Sequence, residues 1–366
     1  MWILSVTLSA VGCQDSIDSG RTQLTDGTQE IHISLNVPGE FQSGLRSISG
    51  SEEKAITEVD VLAFDVNASS TTYSYAVTGS PSIDDAGKPG AVVTLKNKPG
   101  VRQQIVVITN AHKAVTALIA GASIGTAKTN LLNQLVDSLG TAPTKWNAAG
   151  AANFRAIPMW GESDSIEITE DLEDDIAVDL LRTTARIDVK LDTNVSGLAS
   201  KFKIGAVYLY NTNTVGLIAP HPANVTKGSS GYAVSNPSIP AGFNSPRGVP
   251  AFIEYEDSVK CSPASFVGAI YALETQATAA ADSAICLVVG GFYKTDSKMS
   301  FYRVDFYDTD GKTPIPVLRN RQYNFNITDV TSRGHDTKDE AFEAARRVEI
   351  NVNNWGQFTI DSELSL

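Results

Sequence analysis

The chain has few cysteines and histidines, two of the residue types that often bind metals or take part in catalysis. Its 366 residues include three cysteines and four histidines. The histidines are far apart and match no ligand pattern such as His-Glu-x-x-His; they are His32, His112, His221 and His335. No phosphate-binding loop or dinucleotide fingerprint is present either. We therefore expect no metal site, no cofactor and no catalytic residue.

Positive charge is also in short supply. The 29 lysines and arginines are outnumbered by 41 acidic residues, which leaves a net charge of -12. A nucleic-acid-binding protein needs a basic stripe to neutralise phosphates, so we expect no nucleic-acid partner. The acidic run 170–175 lacks the fixed spacing of a calcium loop and indicates a solvated turn.

One catalytic pattern does occur. Residues Gly121-Ala-Ser-Ile-Gly125 match the nucleophile elbow of hydrolases, in which the serine follows a strand and precedes a helix in an α/β sheet. Here an alanine-rich stretch precedes Ser123 and the surrounding chain is rich in strands. We interpret the motif as a turn of small residues and expect that the protein is not an enzyme.

The amino-terminal segment carries an export pattern. Residues 1–12 form an apolar run too short to span a bilayer, and the run ends in small residues before Cys13. This is typical of a secretory signal that ends at a bacterial lipoprotein site, with Cys13 bearing the lipid and residues 14–28 as a polar tether. The alternative is a buried amino-terminal strand. The other cysteines, Cys261 and Cys286, either pair in an oxidising compartment or remain unpaired and buried.

Short alternating segments separated by Gly, Pro, Asn and Ser dominate the rest of the chain and predict an all-β protein of two sandwiches in series. A helical patch is predicted at 131–139, a turn at 158–161 and a long loop at 211–257. The expected strands are 30–37, 56–65, 71–77, 91–95, 104–109, 165–169, 177–191, 203–210, 264–273, 284–293, 299–307, 319–328, 347–355 and 357–361.

The first strand is the segment on which the functional prediction depends. Its four apolar residues alternate with polar ones and so share one face; they are Ile31, Ile33, Leu35 and Val37. Burying them would contribute about 6–12 kcal/mol, at about 1.5–3 kcal/mol each. That is comparable to the net stability of a whole domain, about 5–15 kcal/mol. A chain that lost this strand would expose an open groove and would need a replacement.

The carboxy-terminal tail has the same two-residue period. Its alternating apolar residues could add a strand to another molecule, or could form an ordinary closing strand of their own sandwich. These residues are Val348, Ile350, Val352, Phe358 and Ile360.

Several motifs, in their order along the chain, resemble the fimbrillins of Bacteroidales, which are type V pilins of the major fimbrial subunit and Mfa-like family. Besides Cys13 and the segment that includes Arg46, the motifs are Thr57–Phe64, Val106–Ala111, Ile157–Gly161, Leu181–Val189, Arg319–Phe325 and the end containing Trp355. The resemblance implies two transthyretin-like β-sandwich domains, export as a lipoprotein and trimming by an Arg-specific surface protease. The cut would fall between Arg46 and Ser47, with Lys54 as a second possible site.

The predicted organisation is a signal at 1–13, a removable tether and strand at 14–46, an amino-terminal sandwich at 47–180 and a carboxy-terminal sandwich at 181–366. The resemblance implies an outer-membrane lipoprotein precursor that becomes part of a fimbrium by donor-strand exchange. Its partners would be copies of itself and other pilus subunits, as a stalk subunit. The alternatives are a monomeric surface lipoprotein that binds a glycan or host protein, and a tip or adhesin subunit.

Overall fold

The computed structural model of this protein describes residues 23–24, 27–38, 50–84, 87–139, 155–170, 172, 175–229, 231–243, 252–256, 265–308, 313–344, 351–354 and 364–365. Strands far outnumber helices in these ranges, which confirms the all-β class. No helix within them is long and apolar enough to cross a membrane.

The first half of the chain contains eleven strands and three short helices among its described residues. The strands are β1 Gln23–Leu24, β2 Thr28–Asn36, β3 Val59–Val66, β4 Thr71–Ile83, β5 Pro89–Lys96, β6 Arg102–Thr109, β7 Val136–Ser138, β8 Met159–Glu162, β9 Ile166–Glu167, β10 Ile176–Asp179 and β11 Leu181–Arg182; the helices are α1 Gly50–Glu53, α2 His112–Ala120 and α3 Lys128–Leu132.

All of these strands except β7 form a ten-stranded sheet that folds over into two layers. β4 connects the layers, because its first part pairs with β3 and its last part, Ser80–Ile83, pairs with β5. One layer contains β1, β2, β5 and β10, and the other contains β3, β6, β8, β9 and β11. The core between them is built from aliphatic side chains of β2, β3, β5, β6 and β10.

The second half contains the remaining elements. They are α4 Leu198–Lys201, α5 Lys338–Glu343, a 3-10 turn at Pro222–Asn224, and strands β12 Thr184–Leu191, β13 Phe202–Tyr210, β14 Val215–Leu217, β15 Val225–Gly228, β16 Gly231–Val234, β17 Phe252–Glu256, β18 Ser265–Leu273, β19 Cys286–Tyr293, β20 Ser300–Asp305, β21 Arg321–Asp329, β22 Asn351–Asn354 and β23 Leu364–Ser365.

Two sheets face each other in this half. One has the order β18-β12-β21-β22, with β23 also on β21, and the other has the order β17-β13-β19-β20. The core between them includes Ile187, Val207, Leu287 and Phe325, which are all at most 1% exposed. This is the predicted sandwich, and the side chains that β12, β19 and β21 contribute to its core lie on alternating positions.

A helix that the sequence analysis missed covers the outer face of the second sheet. In α5, Phe342 stacks on Tyr210 with ring centroids 4.5 Å apart, and the Tyr210 hydroxyl donates to Asp339. The helix begins with a capping box, because Thr337 and Glu340 each bond the other's backbone N–H. That Thr-x-x-Glu spacing is a sequence signal for a helix start and could have revealed α5.

The predicted long strand 177–191 is three strands. β10 and β11 pair within the first half, whereas β12 pairs with β18 and β21 of the second. The strand breaks because its backbone changes partners: Leu180 N–H donates to Asn36, and Thr183 N–H donates to Pro158. The chain passes from one half to the other between Arg182 and Thr184.

Three further expectations were wrong in detail. The helical patch ends at Leu132 in α3, and Val136 belongs to β7, which pairs with β14 of the second half. The expected turn at 158–161 is mostly strand β8, which pairs with β6. The loop 211–257 contains β14, the β15–β16 hairpin and β17. Part of it is ordered by packing across the two halves, since Ile218 and Val234 join Trp160 in one apolar cluster.

A histidine at the start of α2 predicts a pH dependence of stability. His112 Nδ1 lies 2.8 Å from Asp60 Oδ1, and this hydrogen bond, with the charges of Asp60 and Glu58, raises the pKa of His112 above its ordinary 6.5. A group whose pKa is higher in the folded state stabilises the fold below its unfolded pKa and loses that effect as the pH rises through the folded value.

We therefore expect the urea midpoint of the wild type to fall between about pH 6 and pH 9 by more than that of His112→Gln. Urea unfolding at both pH values, for both proteins, measures this difference. Equal slopes with pH in the two proteins would contradict the assignment.

Candidate functional site

The predicted first strand, 30–37, corresponds to β2, which lies inside its layer and not at an edge. β2 pairs antiparallel with β5, from Thr28 opposite Lys96 to Ser34 opposite Gly90. On its other side it pairs parallel with β10, from Ile33 beside Ile176 to Asn36 beside Asp179. Loss of β2 would therefore leave unpaired backbone groups on two strands, with a groove between them.

The inward face of β2 is completely covered. Ile31, Ile33 and Leu35 are at most 1% exposed and belong to the core of the first half. Val37, just beyond the strand, is half-buried against the same core. The two-residue period of the sequence thus gives the face that is buried in the structure.

The outward face of β2 makes polar contacts with the neighbouring segments. Asn36 Nδ2 donates to Asp179 Oδ1 at 2.9 Å, and the His32 ring lies 3.0 Å from Asp175 Oδ2 through Nδ1 and 3.3 Å from Ser82 Oγ through Nε2. Gly90 lies under the imidazole, where an added Cβ would be 2.5 Å from His32 Nε2. The glycine therefore leaves space for a large side chain at position 32.

One buried arginine binds both ends of the segment that contains the predicted cleavage site. Arg182 Nη2 donates to the carbonyl of Pro38 at 3.0 Å, and its Nε donates to the carbonyl of Glu53 at 3.0 Å. Its Nη1 lies 3.3 Å from Asn320 Oδ1. The chain therefore leaves β2 and returns to α1 at a single guanidinium. Arg46 and Ser47 lie between these points, outside the described residues.

The same guanidinium belongs to a buried polar cluster between the two halves. Glu53 Oε1 accepts from Arg186 Nη1 at 2.9 Å and from the Tyr271 hydroxyl at 2.5 Å. Arg186 also donates twice to Asp188, at 2.9 and 3.0 Å. Burial lowers the pKa of Arg182 to about 10, so the group stays charged at neutral pH.

This cluster was not predicted, although Leu181–Val189 was singled out as a motif. The arginines alternate with apolar residues in a strand pattern, and alternation ordinarily places charged side chains in solvent. They are buried here because the two halves meet over them.

The tail is only partly described. β22 pairs antiparallel with β21, with Val352 opposite Tyr323, and β23 pairs parallel with it. The described part of the tail thus lies on its own sandwich, in the place of an ordinary closing strand. Val348, Ile350, Phe358 and Ile360 lie outside the described residues, as does Cys13.

The remaining candidate residues do not assemble into a catalytic or metal site in the described part of the chain. Ser123 is exposed and follows helix α2, not the strand that a nucleophile elbow requires. Cys286 is a free, buried thiol whose pKa is raised by burial, while Cys261 is outside the described residues. No group of three or more His, Cys, Asp or Glu side chains is suited to a metal ion within these ranges.

The chain has two β-rich halves, and β2 lies between two strands of the first half. These features place the chain in the class of tandem β-sandwich proteins. Residues 49–357 match the profile of a protein family described as fimbrillin-A associated anchor proteins Mfa1 and Mfa2. The chain belongs to this family, which confirms the resemblance found in the sequence and gives it a fimbrial role at the cell surface. A search of curated proteins finds no match.

Solved structures similar to this chain share little sequence with it. A candidate cell adhesion protein from Parabacteroides distasonis is 10% identical with a TM-score of 0.47, over 92% of this chain and 97% of the other. One from Bacteroides eggerthii is 13% identical with a TM-score of 0.46, over 89% and 96%. A fimbrial assembly protein from P. distasonis is 11% identical with a TM-score of 0.44, over 89% and 96%.

Proposed function

We propose that this chain is a structural pilus subunit, not an enzyme, and that subunits join by replacing β2 with a strand from another molecule. The observation that supports this most directly is the placement of β2. It is buried between two strands of the first half, yet it is connected to the rest of the domain by a segment whose two ends meet at Arg182.

The proposed maturation begins with export as a lipoprotein that carries its lipid on Cys13. An Arg-specific surface protease then cuts between Arg46 and Ser47, which separates β2 covalently from the domain that it completes. Because Glu53 remains bound to Arg186 and Tyr271, the new amino terminus stays attached close to the groove. The released segment 13–46 leaves with its lipid, and the subunit passes from the outer membrane to the fimbrium.

The energetics explain why a replacement strand is needed. Three fully buried aliphatic side chains contribute about 5–9 kcal/mol at about 1.5–3 kcal/mol each. A domain without them would retain little net stability. An incoming strand with the same pattern restores this burial, and the large covered area makes the joint slow to reverse.

We propose a stalk position, because the chain has both a first strand that can be removed and an alternating tail that can be donated. An anchor subunit is the second candidate. The family description names anchor proteins, and the described part of the tail is paired within its own chain. A monomeric surface lipoprotein that binds a glycan or host protein through residues 211–257 would instead keep β2 and would tolerate loss of the tail. A tip or adhesin subunit is a further alternative.

Limited proteolysis tests the proposal. The lipid-free chain, residues 14–366, is treated with a trace of Arg-specific protease and followed by intact mass and by unheated denaturing gel electrophoresis. We expect one cut after Arg46 and a ladder of detergent-resistant multimers. Arg46→Lys is the matched control, since it keeps the charge but resists this protease, and it should give neither cut nor ladder.

A chain lacking residues 348–366 should be cut at the same rate and form no ladder. A wild-type protein that is cut after Arg46 but remains monomeric, or simply unfolds, would overturn strand exchange. In that case the binding lipoprotein or a terminating subunit would be the better account.

A further inference from the structure

We propose that two copies of this chain pair about a two-fold axis through the α2–α3 surface, which is the part of the first half formed by residues 112–136. Ile124 of each copy enters a cavity that lies beside Ile124 of the other. The inference does not depend on strand exchange and adds a side-by-side contact between subunits.

The cavity lies between α2 and α3 and has a volume of about 430 Å³. Its walls are mostly small or aliphatic side chains of α2, α3 and the residues that follow each helix. They include Ala114, Ala117, Leu118, Gly121, Leu131 and Val136. The remaining described wall residues are polar but uncharged. A concave site of this volume and lining suits an apolar group.

Ile124 projects from the turn beside this cavity. Its exposed fraction of 81% is the largest of any large apolar side chain in the described ranges. The neighbouring residues Ser123 and Thr126 line the cavity, whereas Ile124 is not among its walls. One exposed isoleucine is ordinary on a protein surface. Its position next to an apolar cavity that it does not fill is what indicates a partner.

The turn that carries Ile124 is fixed to the sheet. Tyr73 N–H donates to the Thr126 carbonyl and Gly125 N–H donates to the Tyr73 carbonyl, both at 2.8 Å. Gly125 has a φ of +88°, a conformation that glycine adopts without strain. Because the backbone on both sides of Ile124 is already ordered, burying this side chain against a partner costs little further conformational entropy.

The charge of the chain favours a second copy as the partner. Two copies that each carry a net charge of -12 repel each other unless they meet through an uncharged face. Residues 114–127 and 129–136 include no charged side chain. Lys128, which lies between these ranges, pairs with Glu162 at 2.5 Å and donates to Gln104 at 2.6 Å. The surface therefore offers no unpaired charge to a basic or acidic partner.

The arrangement of projection and cavity specifies the symmetry. In a two-fold contact the same patch lies on both sides, so a projection beside a cavity makes two identical insertions at once. This use also accounts for the Gly121–Gly125 motif without catalysis, because its small residues keep the cavity open and Ile124 fills that of the partner. The patch is small, so the dimer should be weak and reversible.

The α2–α3 surface is separate from the groove of β2. Its helices pack on the outer side chains of β3 and β6, including Leu62 and Val106, whereas β2 belongs to the other layer. Pairing thus leaves β2 free to exchange. If the subunits form fibres as proposed above, the repeated contact joins neighbouring fibres side by side, and many weak contacts act together.

Sedimentation velocity of the lipid-free, uncut Arg46→Lys chain, over a concentration series up to the millimolar range, tests the inference. We expect a reversible dimer. Ile124→Ser should raise its Kd by about a hundredfold or more, because each dimer loses a buried isoleucine from both copies. Ala117→Glu should have a similar effect, because it places a charge in both cavities.

Ile83→Ser is the matched control. Ile83 is 76% exposed but is not among the described residues that line the cavity, so its loss should leave the Kd unchanged. The three substituted residues are exposed, and each variant is checked for an unfolding curve like that of the parent chain. A parent chain that stays monomeric at every concentration, or a dimer that persists in both Ile124→Ser and Ala117→Glu, would overturn the inference.

Cross-linking tests the geometry. In a Cys261→Ser background, an equal mixture of Ile124→Cys and Ala117→Cys chains should give a disulfide between position 124 of one copy and position 117 of the other. A mixture of Ile83→Cys and Ala117→Cys chains should not. The same yield in both mixtures would overturn the two-fold arrangement. Because these experiments use uncut protein, their failure leaves strand exchange standing, and loss of the multimer ladder leaves this contact standing.

Discussion

Replacing Ile33 with alanine is expected to lower the free energy of unfolding of the uncut chain by about 2–5 kcal/mol. Ile33 has no exposed surface and is paired on both sides, opposite Ala91 in β5 and beside Ile176 in β10. Truncation leaves a cavity in the core. The core cannot collapse to fill this cavity, because β2 is paired with a strand on each side. Urea unfolding of the purified uncut protein measures the change.

Ser34→Ala is the matched control, because it changes the neighbouring, outward-facing residue of the same strand. It should alter the free energy of unfolding by no more than about 0.5 kcal/mol. Equal losses in the two variants would show that β2 is not held by its inward face.

The Ile33 variant also distinguishes the contribution of β2 to stability from its part in the proposed strand exchange. If exchange occurs, a weakened β2 leaves the groove more readily, so the cut Ile33→Ala protein should assemble faster than the cut wild type. The same truncation in the donor, Ile350→Ala, should slow assembly. Competition of β2 and the tail for one groove predicts these opposite effects, whereas a general loss of stability predicts the same effect in both variants.

Replacing Arg182 with methionine is expected to lower the free energy of unfolding by about 3–5 kcal/mol. The side chain is fully buried and donates to the carbonyls of Pro38 and Glu53. Methionine fills part of the volume but leaves these acceptors without their donor. It also leaves the Glu53 carboxylate with less compensating charge in a buried site. Urea unfolding of the uncut variant provides the measurement.

Arg333→Met is the control for the general effect of removing an arginine. Arg333 pairs with Asp296 and Asp336 at a side-chain exposure of 45%, and exposed pairs of this kind contribute about 0–1 kcal/mol. In the cut protein, Arg182→Met should also release the segment 14–46 faster than the wild type. Similar stability in the two methionine variants would contradict the role assigned to Arg182.

The parts of the fold that follow from local pattern were predictable. The alternation of Ile31, Ile33 and Leu35 predicted both a strand and its buried face, and the all-β class followed from many such segments. Of the predicted tail strand 347–355, the structure describes Asn351–Asn354, which form β22. These features depend on the two-residue period of an extended chain, which is a property of the sequence alone.

Errors occurred where a residue's environment depends on distant segments. The segment 177–191 has one continuous strand pattern, yet it is divided because Leu180 and Thr183 bond to residues far away in sequence. The hairpin β15–β16 has little periodicity of its own and packs with the help of the first half. Helix α5 is a different case, because its capping box, Thr337 with Glu340, is a local signal that the sequence contains.

The candidate site likewise has features that the sequence shows and contacts that only the structure shows. The alternating residues of β2, the arginine in the segment after it and the matching tail are all visible in the order of amino acids. That β2 lies between β5 and β10, and that Arg182 joins Pro38 to Glu53, could not be read there, because each contact joins residues more than 50 positions apart. Local periodicity specifies which face of a strand is apolar, whereas its neighbours are selected by the packing of the whole chain.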